Sequence, residues 1–473
     1  MKIAIIGGGI AGCAVYLELQ KHLPKPHEVK QHEIVIYEPY DMDIDTTAER
    51  RSADITHSST LLVGGGLGVA PNGLRVLRRL DEGLLKDVVR GGYVTATSNM
   101  KNKDSWPLLS MSSSCAEGVT QDGRSLHMVA TSRHAFWRAL CTRIPPHDII
   151  NKRISRVFAN PNGRNIVEFA DGSPSVEADL IIGADGVKST VKKALFPDDE
   201  GDSYPPHYEG LVGVGGFVPS AEIQGLVEPG SMNFIFGGNG FFGYFFSESA
   251  KSAPNRDSPY HVSEPGESLA WWSTYEVEEC PDRQTLDMVD VTRQLRERHA
   301  DWTEPVVQKI IGSLHVENMY PTWTAPTLPT WERDGVVLIG DAAHALPPTS
   351  GQGSSQALED AEALALFLAQ SMHGICGNGS KVAAGTQKQA IIAATRSYMA
   401  IRQPRVREIL DFARKTQNNK RQMGRIKEYS MYAFMKLMPG ITGLFPNLMA
   451  NPIRKVNAYD VAEYVAQYIA TGH

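Results

Sequence analysis

Cysteine is scarce in this chain. Cys13, Cys115, Cys141, Cys280 and Cys376 are five scattered positions in 473, with no Cys-x-x-Cys pair among them. An odd, sparse set excludes a disulfide framework, and no His/Cys cluster has metal-ligand spacing, so no metal is expected. The same pattern fits a reducing compartment, and the expected location is cytoplasmic. Long hydrophobic runs are missing too. No stretch reaches the ~18 apolar residues of a membrane-spanning helix. The nearest, "MYAFMKLMPGITGLFPNLMANPI", is interrupted by Lys436, Pro439, Pro446 and Asn447. It reads as buried packing, with peripheral membrane contact as the alternative. Positive charge is not in excess: 47 Lys and Arg stand against 53 Asp and Glu, for a net charge of −6. That excludes the basic footprint of a nucleic-acid binder. The opening "MKIAIIGGGIAGCAVYLEL" is not read as a leader, because glycines break its apolar run.

What is present is an α/β chain long enough for two or three domains. "KIAIIGGG" and "EIVIYE" are β-branched runs flanking the helically spaced "AGCAVYLELQKHL", a parallel strand–helix–strand unit. A Ser- and Gly-rich stretch, residues 58–68, leads to one expected helix with Leu74, Leu77, Leu80 and Leu84 on a face. "TSRHAFWRALCTRI" reads as an amphipathic helix, and "RVFANPNGRNIVEFADGS" as a hairpin around Asn-Pro-Asn-Gly. From Tyr208 to Tyr275 the texture becomes aromatic and β-branched, as in an antiparallel sheet. The loop from Ala250 to Gly266 within it reads as solvent-exposed filler. A helix from Leu358 to Met372 and a long polar-faced helix from about Lys388 to Lys420 follow.

Three stretches carry chemistry. Gly7-Gly8-Gly9-Ile10-Ala11-Gly12 fits Gly-x-Gly-x-x-Gly directly after the first strand. Gly7 permits the turn, Gly9 lets the backbone approach a pyrophosphate, and Gly12 lets the helix pack closely, its positive end facing the anion. Glu38 ends the second strand, where a carboxylate accepts a ribose hydroxyl. An acid at that position suits FAD or NAD better than a 2′-phosphate. Gly183-Ala184-Asp185-Gly186 follows a second strand, and by itself is an ordinary Asp-Gly turn. "GVVLIGDAAHALPPTSGQGSSQALEDAEAL" places Asp341 at the carboxyl end of another strand, where ligands of parallel sheets bind. Pro348 stiffens the loop, Gly351 and Gly353 leave backbone N–H groups bare, and a helix starts near Ser354 with Ala357, Ala361, Leu364 and Leu368 on its apolar face. The helix end would favour the negative charge of a reduced flavin. His344 reads as a hydrogen-bonded structural residue rather than a catalyst.

The three motifs in this order, with "GGLGVAPNGLRVLRRL" and "SRHAFWRALC", resemble the single-component (group A) FAD-dependent aromatic hydroxylases of the p-hydroxybenzoate hydroxylase type. The resemblance spans most of residues 1–370. It implies a discontinuous Rossmann-type FAD-binding domain of glutathione-reductase type (1–203 and 326–372), an antiparallel substrate domain (204–325) and a C-terminal helical region (373–473). It implies that Gly7, Gly9, Ile10, Ala11, Gly12 and Glu38 hold the ADP half of non-covalent FAD. Arg133 would contact FAD, the bland alternative being a surface salt bridge. Asp341 would bind the ribityl or pyrophosphate region, and Pro348 and Gly351 to Gly353 would line the isoalloxazine. Asp185, with Ser189, would serve the pyridine nucleotide or orient FAD. Lys192 stands where the family usually has Arg, which removes a bidentate donor there. The family's sheet roofs the substrate pocket, and Tyr244 and Trp272 are the pocket candidates; no catalytic base is assigned.

The implied activity is an NAD(P)H- and O2-dependent monooxygenase of either oligomeric state, monomer or homodimer. It would hydroxylate or epoxidise a hydrophobic aromatic or phenolic molecule through a C4a-hydroperoxyflavin, in secondary metabolism or aromatic catabolism. NAD(P)H would visit transiently, since no second Gly-x-Gly-x-x-Gly stands between a strand and a helix to give it a Rossmann domain of its own. The alternatives are a flavin-dependent halogenase or reductase of the same superfamily, though "LAWWSTY" is not the halogenase Trp-x-Trp-x-Ile-Pro signature, and a non-enzymatic FAD-binding scaffold.

Overall fold

The computed structural model describes residues 1–24, 32–40, 66–114, 125–197, 201–282, 285–314, 316, 318–376, 384–417, 422–444 and 452–472. Residues 58–65 and Cys115 therefore lie outside the described residues. The chain opens with β1 (Lys2–Ile6), α1 (Ile10–His22) and β2 (Glu33–Glu38), the parallel unit expected, with Ile3 opposite Ile34. After β3 (Gly66–Val69) come two helices, α2 (Pro71–Leu80) and α3 (Glu82–Arg90), where one was expected. Asp81 makes the break. Its extended backbone leaves α2, and its side chain accepts from Leu84 N at 2.7 Å to cap α3, so Leu84 belongs to the second helix. Then follow β4 (Gly92–Thr95), β5 (Thr97–Asn102), β6 (Pro107–Ser112), β7 (Met128–Ser132) and α4 (Arg133–Cys141). Next are β8 (Ile149–Asn151), the hairpin β9 (Ile154–Phe158) and β10 (Asn165–Phe169), β11 (Val176–Ala178) and β12 (Leu180–Gly183).

The aromatic stretch supplies β13 (His207–Pro219), β14 (Ser231–Gly237), β15 (Gly240–Phe246) and β16 (Ser268–Glu276). Two helices follow that the sequence reading did not separate, α5 (Met288–Arg298) and α6 (Pro305–Ser313). The chain returns through β17 (Met319–Thr324), β18 (Glu332–Arg333) and β19 (Val336–Leu338) to the short α7 (Asp341–His344). It ends in helices: α8 (Gly353–Cys376), α9 (Ala384–Gln417), α10 (Arg425–Leu444), α11 (Pro452–Ala458) and α12 (Val461–Ala470).

Two sheets organise these elements. One has the order β18-β19-β12-β1-β2-β8 and is parallel from β19 to β8. Its strands are buried on both faces, which is why they are continuous Ile/Val runs. The helix α8 packs against α1, α2, α9 and α12. The other sheet has the order β17-β13-β16-β15-β14-β5-β6 and is antiparallel except where β14 meets β5. Residues 204–325 thus share their sheet with β5 and β6, drawn from residues 97–112. Nor is the 250–266 loop mere filler. Tyr93 donates to the Ser263 carbonyl at 3.0 Å, His127 N donates to the Pro259 carbonyl at 3.3 Å, and Ala253, Pro259 and Pro265 are buried.

Candidate functional site

In the parallel sheet Ile6 pairs with Gly183, and Gly183 pairs with Leu338. Three neighbouring strands therefore end level, and the three signature loops leave the sheet side by side. Gly7 takes φ +103°, and a Cβ there would lie 2.5 Å from the Ala184 carbonyl oxygen. The first and second motifs touch through their backbones, and only glycine fits the contact. Gly12 is pressed the other way: a Cβ would lie 1.9 Å from the Gly7 carbonyl oxygen. Gly9, the residue preceding α1, faces open space, with nothing within 4 Å of a built Cβ. That is the cradle a phosphate needs at a helix N-terminus. Ile10 and Ala11 form the first turn.

The third loop arrives at the same place. Ile339 N donates to the Gly183 carbonyl at 3.0 Å, Gly340 turns at φ +56°, and its built Cβ would lie 3.0 Å from Ala11 Cβ. Asp341 is exposed at that turn, the first residue of α7 and next to the glycine that approaches Ala11. Beyond it, Pro348 opens a short 3-10 turn, Gly351 takes φ +58°, and Gly353 starts α8. Gly351 and Gly353 are exposed, with nothing within 4 Å of a built Cβ. The loop is pinned to β3 and α2: Ser354 Oγ donates to the Gly68 carbonyl at 2.9 Å, and Ser355 Oγ accepts from Ala70 N at 3.0 Å.

The structure assigns several expected residues a supporting duty. Glu38 is 8% exposed, and its Oε2 accepts from Gly8 N at 2.6 Å while Oε1 accepts from Tyr40 N at 3.3 Å. Burial pushes its carboxyl up, opposed by those amides. It braces the glycine turn and keeps lone pairs for a hydroxyl donor. Asp185 is committed within its own loop, accepting from Ser189 Oγ at 2.6 Å, Thr190 N at 2.6 Å and Val191 N at 3.2 Å. Burial raises its pKa against those bonds. Lys192 is buried and pairs with Asp202 at 2.9 Å. Arg133 is exposed at the start of α4, one turn before Trp137, and makes no ion pair among the described residues.

Trp137 was not singled out in the sequence, yet its indole Nε1 donates to the Gly8 carbonyl at 2.9 Å. It fixes α4, and Arg133 with it, against the glycine turn. The other unforeseen feature is a buried ionic cluster beneath the third loop. Asp360 Oδ2 accepts from Gly340 N at 2.8 Å and contacts His344 Nε2 at 2.5 Å; Oδ1 accepts from Arg402 Nε at 2.8 Å. Arg402 also donates to Glu359, which Arg405 engages through two bonds of 3.0 Å. Burial would push Asp360 up, but His344 and Arg402 outweigh it and hold the carboxyl at about 2. His344 thus stands in this cluster, 7% exposed.

The two pocket candidates separate. Tyr244 pairs across the ladder with Trp271, and Gly243 with Trp272. Side chains alternate along a strand, so Tyr244 and Trp272 lie on opposite faces. Tyr244 is fully buried beneath α5 and α6 with Leu295, Trp302 and Val306, and its hydroxyl donates to Glu304 at 2.8 Å. Its side chain is packed into the core on the face away from Trp272, so the two candidates do not share one wall. Trp272 lies over Gly243 among Phe234, Phe241 and Phe245. This second face leans on β3: a Cβ on Gly66 would lie 2.6 Å from Phe245 Cζ. The aromatic face and the loop before α8 thus contact opposite ends of the same short strand.

Level strand ends, glycine loops at two helix N-termini and an adjoining aromatic wall define a flavin-binding oxidoreductase. Residues 162–413, more than half of the chain, match the family model described as FAD binding domain. The chain belongs to that family and is an FAD-dependent monooxygenase, with FAD as its cofactor. It is 26% identical over 388 residues to FAD-dependent monooxygenase sor5 of Hypocrea jecorina, covering 78% of this chain and 75% of that protein. It is 27% identical over 310 residues to 6-hydroxynicotinate 3-monooxygenase of Bordetella bronchiseptica, covering 65% and 73%. Among solved structures, a salicylate hydroxylase substrate complex superposes with a TM-score of 0.67 at 19% identity, covering 99% and 98%. Klebsiella pneumoniae HpxO with FAD and uric acid gives 0.65 at 20% identity, covering 96% and 98%. Those likenesses confirm the mixed α/β fold.

Proposed function

We propose that this enzyme uses NAD(P)H and O2 to hydroxylate, or epoxidise, a hydrophobic aromatic or phenolic small molecule. The observation that carries the reading is the meeting of the three glycine loops and Asp341 beside the Trp272 face of the antiparallel sheet. The residues fit FAD. Gly7, Gly9 and Gly12 shape a cradle for the pyrophosphate, and Glu38 has lone pairs left for a ribose hydroxyl. Arg133 would reach the cofactor from α4. Asp341 would accept hydroxyls of the ribityl chain, and Asp185 holds the turn that would border it.

Bound FAD supplies the electron transfer and oxygen activation. The chain's own residues do the rest. Gly351 N donates to the Pro348 carbonyl at 3.1 Å and Gln352 N to Ser350 Oγ at 3.2 Å, so these amides are not bare as the sequence suggested, and the positive potential offered to an anionic ring edge is that of the N-terminus of α8 at Gly353. Met232, Phe234, Phe245 and Trp272 offer a wall that keeps water from the reacting carbon and holds a flat substrate by stacking. The relatives include enzymes named for 3-amino-4-hydroxybenzoate and a chloroplastic zeaxanthin epoxidase, which favours an aromatic or polyene substrate. Relatives from Hypocrea, Phoma and Streptomyces favour secondary metabolism. Among the described residues no helix is long and apolar enough to cross a membrane. Cys13, Cys141 and Cys280 are free thiols, which supports the cytoplasm as the working compartment.

The test is a screen for substrate-stimulated NADH and NADPH oxidation by the FAD-loaded protein, with mass spectrometry of the product. A yellow protein whose NAD(P)H consumption rises with a phenolic compound, and whose product gains one oxygen atom, supports the reading. Protein that stays colourless after FAD is added, or a product that gains halogen instead, overturns it.

A further inference from the structure

The helix α10 has two unlike faces. Its inner face lies on the antiparallel sheet, where Tyr432 packs with Phe236, Phe241 and Leu108, and Met431 and Met435 pack beside them. Tyr432 hydroxyl donates to the Phe236 carbonyl at 2.8 Å and meets Glu428 at 2.8 Å. Glu428, the sole acid of α10, is thereby turned inward and buried. The outer face is apolar. Ile426, Tyr429, Ala433 and Leu437 recur every third or fourth residue, so they form one stripe. Their exposure is high where it counts: 91% for Ile426, 65% for Tyr429 and 63% for Leu437. Phe434 borders the stripe at 54%. A folded monomer gains nothing from leaving such large apolar groups in water.

A second element extends the patch. At the tip of the β5–β6 hairpin, Asn102 Oδ1 accepts from Asp104 N and Trp106 N, and the turn raises Trp106 to 69% exposure. Lys436 of α10 lies 6.0 Å from the centre of that ring. Arg425, Lys427 and Lys436 are all exposed and lie on either side of the apolar stripe. On an ideal helix they project about 100° to its two flanks. Cations flanking an outward apolar stripe, with an indole at the edge, make the pattern of a helix lying in the headgroup layer of an anionic membrane.

We infer that α10 and Trp106 dock this enzyme onto an anionic phospholipid surface. The cations decide between occupants. A two-fold dimer through this face would set Arg425, Lys427 and Lys436 against a surface carrying the same three cations, with no exposed acid on α10 and Asp104 of the hairpin tip as the exposed acid beside Trp106. An anionic lipid surface supplies the missing charge. The helix lies on the membrane and does not cross it. Its inner face covers the sheet face that holds Trp272, so docking places the substrate wall next to lipid. The docking does not depend on which compound is oxidised.

The test is flotation of the FAD-loaded full chain with vesicles of phosphatidylcholine alone, or with about one third phosphatidylserine. The wild type is expected to float with the anionic vesicles at low salt and to be released by high salt. Ile426→Glu/Leu437→Glu is expected to lose about tenfold in partitioning while keeping flavin absorbance and melting temperature. Val289→Glu, at a 71% exposed apolar position on α5, serves as the control and should bind as the wild type does. Absence of binding to anionic vesicles at low salt overturns the proposal. So does equal binding by the double variant. A wild-type dimer in light scattering that the double variant turns to monomer also overturns it, since a second copy would then cover the face.

Discussion

Arg402→Met isolates the buried ionic cluster that holds the third loop. Arg402 is fully buried, and its guanidinium serves Asp360, Glu359, and both the side chain and carbonyl of Gln356. Methionine approximates the length of the side chain and removes every donor. Glu359 keeps Arg405 and Asn72, and Asp360 keeps His344 and Gly340 N. The loss is therefore placed at the lower end of the range for breaking a buried pair, about 3 kcal/mol. For a chain of 473 residues that corresponds to a fall in melting temperature of about 3 °C. Because Asp360 holds Gly340, the residue before Asp341, flavin should leave the variant earlier in the transition than it leaves the wild type. The assay is a thermal ramp that follows tryptophan emission and, separately, the rise of flavin emission on release. Arg293→Met is the comparison, since Arg293 makes its ion pairs on an exposed helix surface, where water and salt screen them, and its loss should leave the transition essentially unmoved. If Arg402→Met shifts the transition no more than Arg293→Met does, the cluster does not support the loop and the reasoning fails.

Gly12→Ala places a methyl against the Gly7 carbonyl and should prevent folding or flavin loading. Gly9→Ala, whose Cβ meets nothing in the free chain, should fold with an unchanged melting temperature yet bind FAD at least about tenfold more weakly; equal behaviour of the two variants would contradict the cradle. Trp272→Ala should raise KM or uncouple NAD(P)H oxidation from product. Tyr244→Phe should leave KM alone and cost about 1–3 kcal/mol through the buried hydrogen bond lost at Glu304 Oε1, while Oε2 keeps Val307 N, so a Tyr244→Phe defect confined to KM would reverse the assignment of faces. Glu362, on α8, has its carboxyl pushed up from 4.5 to about 7 by burial, opposed by Arg79 and reinforced by Glu18 and Asp460. The folded state holds this proton longer than the unfolded chain, so stability declines as pH rises from about 4.5 to 7, by about 3 kcal/mol at most. Glu362→Gln should flatten that decline in melting temperature, and parallel curves for variant and wild type would count against it.

The glycine loops were legible in the sequence because their chemistry is local. A turn at positive φ, a carbonyl pressed against Gly12 and an open helix N-terminus each constrain a few adjacent residues, and the spacing records the constraint. The break at Asp81 was equally local and was missed only because four leucines masked a capping residue. The pocket wall was harder. Alternation along β15 places Tyr244 on the face opposite Gly243, but which face leans on β3 depends on the ladder pairing of Gly243 with Trp272 and on a strand brought in from more than 150 residues away. The ionic cluster lay half in view. Glu359, Asp360 and Glu362 sit in a helix whose alanines and leucines are buried all round, and acids in such a helix need cations or remain neutral. The matching signal is Arg402 and Arg405 in "IRQPRVREIL", three residues apart on the next helix and so on one face. Acids on one buried helix and arginines on its neighbour form a pattern that a single sequence displays, and here that pattern holds Gly340, the residue before Asp341.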